Sequence, residues 1–196
     1  MLLGAMKNLA RIQQNSREIN RMLAQINALV ELRDTSPTLR AQWQAACQEF
    51  HSLYENLSFP GGGSTLARVR CGDLDAVDAA VQFLLADPYH FRSGYLKERL
   101  WRWLARLPLS TGALNRLERA ALSYLDRRIC REFRAMCKAM ARIGRAQFWS
   151  QVAERALPAN MDSGADPAVK RAMLLLAYGS SVHAGAFAHQ RLKQLC

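Results

Sequence analysis

Leu9, Ile12, Ser16, Ile19, Leu23, Ile26 and Val30 recur at alternating steps of three and four residues. That spacing is the seam of a long amphipathic helix running to about Arg33, with Ser16 as its one polar member. Helical spacing returns in each later segment, and no stretch shows the strict apolar-polar alternation that a half-buried strand needs. The pattern specifies an all-α fold, a helical bundle or a short helical array with an N-terminal helical hairpin. The same seam suits a partner helix or a homodimer contact through the N-terminal helix.

Helix punctuation divides the chain further. Asp34, Thr35 and Ser36 offer caps before Pro37, and Leu39, Trp43, Cys47, Phe50 and Tyr54 mark the next helix. The run Phe59-Pro60-Gly61-Gly62-Gly63-Ser64-Thr65 is read as the break at 59–65. It sets a hairpin, 1–58, apart from a helical body, 66–196, within one all-α domain, 1–196. Gly72-Asp73 starts a helix carrying Val77, Ala80, Val81, Leu84 and Leu85, and Asp87-Pro88 closes it. Phe91, Tyr95, Leu100, Trp103, Leu104 and Leu107 are read as the apolar face of another helix. From a cap at Ser110-Thr111-Gly112, helical spacing runs to Gly144, as one helix or as two meeting near Asp126. A short helix from Gln147 to Leu157, a loop to Pro167 and two terminal helices, Ala168 to Tyr178 and Ser181 to Leu195, complete the expectation.

The stretch Val81 to Leu104 (VQFLLADPYHFRSGYLKERLWRWL) has a helix ending in Leu84-Leu85, an Asp87-Pro88 turn and Arg92 ahead of a second, aromatic-rich helix. It resembles a HEAT-type helical repeat over about residues 72–107. The resemblance implies stacked helical pairs presenting a binding surface without catalysis, with Asp87 and Arg92 bracing the hairpin.

Charge is segregated as well. The chain carries 27 Lys and Arg against 16 Asp and Glu, and residues 92–145 hold 14 of the bases but only 4 of the acids. Within them Arg127, Arg131, Arg134, Lys138, Arg142 and Arg145 follow steps of four and three, which on one continuous helix forms a stripe about 27 Å long. Asp126 and Glu132 screen it only in part. Arginine forks suit phosphate or carboxylate. Arg99, Arg102 and Arg106 extend the basic set, with Trp101 read as an exposed ring for base stacking and Trp103 as core. The expected function is a non-catalytic module that holds a nucleic-acid backbone, DNA or RNA, without strong sequence specificity. The alternative is an adaptor or inhibitor docking on an acidic protein surface through the same face or the N-terminal helix.

Little else in the sequence carries chemistry. Cys130 and Cys137 lie seven apart and His183 and His189 six apart, spacings that match no metal motif, so the cysteines are read as core and no metal or cofactor is expected. No pair among the cysteines and His51, His90, His183 and His189 is favoured as a nucleophilic dyad, so no catalytic residue is assigned. Gly61 to Thr65 lacks the lysine and preceding strand of a phosphate loop. Asp73, Asp75 and Asp78 suit the first turn of a helix. Gly94, early in a helix, indicates close packing, and Gly179 to Ala188 form a small-residue face. Five cysteines at irregular spacing fit a reducing cytoplasm. The start is read as an ordinary first helix rather than a signal or transit segment, and no apolar run has transmembrane length.

Overall fold

The computed structural model describes residues 2–157 and 166–194, with side chains over 7–157 and 166–180. His183, His189 and most of the small-residue face fall outside the described side chains. All regular structure is helical: α1 (Leu2–Val30), α2 (Pro37–Ser58), α3 (Gly62–Val69), α4 (Leu74–Ala86), α5 (Ser93–Leu104), α6 (Thr111–Ser123), a 3-10 turn (Tyr124–Asp126), α7 (Phe133–Ile143), α8 (Ala146–Ala156) and α9 (Pro167–Gln194). Among the described residues no helix is long and apolar enough to cross a membrane. The chain forms two compact units, Met1–Ser93 and Gly94–Cys196. Their division lies well past the glycine-rich run.

In the first unit α1 packs against α2 and α4. Ser36 caps α2 by accepting from the Leu39 amide at 3.2 Å, with Pro37 at the first helical position. Ile12 and Ile19 of the α1 seam are buried, as is Met22 beside the seam, and Phe50 of α2 joins Ile19 and Met22 in one cluster. Ser16, the polar seam member, is buried because its hydroxyl donates to the Tyr89 carbonyl at 2.8 Å. Asn20 donates to the same oxygen at 2.7 Å, Gln13 to the Ala86 carbonyl and Tyr54 to that of Phe91. Four side chains thus satisfy the backbone of the connection between α4 and α5. The glycine-rich run is only partly a break. Gly61 takes the left-handed conformation at φ 78° and turns the chain, and α3 then begins at Gly62. Asp73 caps α4 through the Ala76 amide, 3.0 Å away.

In the second unit the phase of α5 differs from the sequence reading. Leu96, Lys97, Leu100, Trp101 and Leu104 are buried, whereas Tyr95 is exposed and Trp103 half-buried. A lysine on the inner face concealed the true stripe. The segment from Ser110 is also not one helix: α6 ends at Ser123, and α7 starts only at Phe133. The two expected terminal helices are a single α9, continuous through Gly179. A Cβ there would stand 2.8 Å from the Trp149 ring, so the glycine admits the indole. The two helices of the stretch that resembles a HEAT repeat belong to different units, α4 to the first and α5 to the second.

Candidate anion-binding surface

Helix α7 has an asymmetric environment. Phe133, Ala135, Met136, Cys137, Ala139, Met140 and Ala141 are buried, and Arg134, Lys138 and Arg142 are exposed. At intervals of four these three cations form one row about 12 Å long, and they make up almost the entire solvent face of the helix. None has a carboxylate or hydrogen-bond partner among the described residues.

The remaining members of the expected stripe lie off α7. Residues 127–132 leave the helix because side chains of α5 and α6 capture them. Glu132 is 2% exposed and accepts from the Lys97 Nζ at 2.7 Å, in an ion pair whose lysine is 4% exposed. The Tyr124 hydroxyl donates to Glu132 Oε1 at 3.4 Å, and burial together with the nearby carboxylate pushes that phenol well above its ordinary range. Glu132 therefore does not screen a surface stripe; it neutralises a lysine inside the core. Its other oxygen would lie 3.1 Å from a Cβ on Gly94, so Gly94 serves the close packing expected of it.

With Glu132 anchored, Arg131 turns onto α5. Its guanidinium lies 3.9 Å from the Tyr95 ring centroid and donates to Glu98 at 2.9 Å. The second oxygen of Glu98 takes Arg102. Arg127 folds back to the Ser123 carbonyl at 3.2 Å and stacks over the Tyr124 ring. Arg145 precedes α8, and its side chain and amide both bond Glu118, with ion-pair atoms 2.5 Å apart. Burial raises the Glu118 carboxyl, but these hydrogen bonds outweigh it and hold the group below its ordinary value. Arg145 also reaches Asn115 across an open groove of about 410 Å³ lined by Arg119, Leu122 and Phe148.

All four carboxylates of residues 92–145 are therefore engaged: Glu98 by Arg102 and Arg131, Glu118 by Arg145, Asp126 by Arg155 and Glu132 by Lys97. With 14 bases in the segment, the arrangement leaves exposed cations uncompensated, and the α7 row is their most regular group. Arg106 and Arg128 are exposed as well, and Arg99 lies over the Trp103 ring at 5.7 Å. No family model, curated protein or solved structure matches the chain.

Trp101 corrects another expectation. It is fully buried, in an edge contact with Tyr124, and its indole nitrogen finds no acceptor among the described residues. It stands four residues from Lys97 on the inner face of α5, so it is unavailable for stacking. Trp103 and Tyr95 are the α5 rings that reach the surface. Both were expected on the apolar face of the helix, so their shared side gave no sign that it points outward. The cysteines divide likewise. Cys137 is in the core, where burial pushes its thiol up to about 12, whereas Cys71 and Cys130 are exposed.

Proposed function

We propose that the chain is a non-catalytic binding module whose second unit holds a nucleic-acid backbone without reading its sequence. One observation carries this reading: the solvent face of α7 is a row of three cations, Arg134, Lys138 and Arg142, with no carboxylate partner among the described residues. Like charges four apart disfavour a helix by about 0.2–0.5 kcal/mol per pair, so the row costs stability until an anion meets it. A polyanion with closely spaced charges offsets that cost, and contacts to phosphate carry no base information. The footprint is smaller than the sequence implied, because Arg127 and Arg145 are held by Ser123 and Glu118. Free thiols at Cys47, Cys71, Cys130 and Cys137 support a reducing, cytoplasmic setting for this activity.

Fluorescence anisotropy with labelled nucleic acid across a salt series tests the proposal. Three duplex phosphate contacts give a slope of log affinity against log salt near about −3. Arg134→Gln, Lys138→Gln and Arg142→Gln together should abolish most of that slope while leaving the far-ultraviolet circular dichroism unchanged. No binding at low salt, or an unaltered slope in the triple variant, refutes it and leaves an acidic protein surface as the occupant.

A further inference from the structure

We infer that the nucleic acid held here is single-stranded and that α5 selects it by stacking unpaired bases on Tyr95 and Trp103. This rests on the backbone-binding reading above and adds a substrate class to it. Tyr95, Arg99, Arg102 and Trp103 follow steps of four, three and one, which gathers them on one side of α5. Tyr95 is 54% exposed, and the Arg131 guanidinium lies over its ring.

Each ring is paired with a guanidinium: Arg131 lies 3.9 Å from the Tyr95 centroid, and Arg99 lies 5.7 Å from that of Trp103. Arg131 is fixed in turn by Glu98, whose other oxygen holds Arg102. The result is a positioned set of ring and guanidinium planes in a cationic surround, and Arg131 stands three residues before Arg134 of the α7 row.

Base faces in a duplex are covered by their neighbours and present only edges to a protein, so such planes gain nothing from a duplex beyond its phosphates. A single strand offers both phosphates and open base faces, and aromatic and arginine planes are the groups that stack them. The pairing of the exposed Tyr95 and the half-buried Trp103 with guanidiniums, close in sequence to the uncompensated α7 row, therefore favours the single strand.

The test uses the full chain, labelled oligothymidylate and a mixed-sequence duplex of equal length at matched salt. Oligothymidylate should bind more tightly than the duplex. Tyr95→Leu, which removes the ring and no charge, should weaken oligothymidylate binding about tenfold or more and leave duplex binding unchanged. Tyr95→Phe should stay near wild type, and Trp103→Leu provides a second, independent loss. Equal affinity for both probes, or a Tyr95→Leu variant that binds oligothymidylate like wild type, overturns the inference. If both probes then lose binding on glutamine substitution of the α7 row, the backbone reading survives without stacking; if neither binds wild type at low salt, both readings fail.

Discussion

The two units differ in where their charge pairs lie. In the first, Gln13, Ser16, Asn20 and Tyr54 donate neutral hydrogen bonds to the carbonyls of Ala86, Tyr89 and Phe91. In the second, charge pairs reach inward, from the buried Lys97–Glu132 pair to the Glu118–Arg145 pair at the start of α8, whose glutamate is 11% exposed. Carboxylates of the first unit cap a helix, as Asp73 does, or pair at the surface, as Glu18 with Arg21, Asp34 with Arg33 and Arg40, and Asp73 with Arg68. The second unit uses all four acids of 92–145 to hold its own chain, and the exposed basic row is what remains. Structure and surface potential there have one origin, the shortage of acids.

The sharpest way to break this contrast is Lys97→Met. It strands the Glu132 carboxylate in the core and should cost about 3–5 kcal/mol in urea unfolding, much of it recovered when Glu132→Leu is added. If the single variant is near neutral, charge does not organise the second unit. The matching change in the first unit is Ser16→Ala, which removes one of two donors to the Tyr89 carbonyl. It should cost about 1 kcal/mol by the same measurement, with no dependence on salt.

A smaller effect is expected at Glu118. Its carboxyl lies below the ordinary 4.5 in the folded chain, so the stability it contributes is present above that pH and is lost as pH falls through the lowered value. Arg145 is 38% exposed, so solvent screening keeps the contribution below about 1 kcal/mol. Glu118→Gln should flatten the acid limb of a stability-pH curve below pH 4.5. The smallest effect has the opposite sign. Removing charge from Arg134, Lys138 and Arg142 relieves two like-charge pairs and should raise stability by about 0.5 kcal/mol, measurable as a small rise in Tm.

The helices and several of their ends were legible because caps are local chemistry. Ser36, Asp73 and Ser110 each accept from an amide three residues on, as their sequence positions implied. The interruption at 124–132 was legible only as one of two alternatives, a meeting of two helices near Asp126, and its length was not. No proline or glycine marks it, and helical spacing continues through it; the chain leaves the helix because Lys97 and Glu98, distant in sequence, hold Glu132 and Arg131. The site was accordingly half readable. The basic segment was visible as composition, but spacing alone could not separate the cations of α7 from those already bound to Ser123, Glu98 and Glu118. On α5, a buried lysine exchanged the expected roles of Trp101 and Trp103.

The central claim is that the second unit alone meets nucleic acid, and ultraviolet crosslinking of the full chain to a labelled oligonucleotide, followed by peptide mapping, tests it most directly. Crosslinks should fall within residues 92–145, centred on Tyr95 and the segment from Arg131 to Arg142, and should disappear at high salt. Crosslinks concentrated in residues 1–91, or equally strong after the α7 row is replaced by glutamine, would contradict the account.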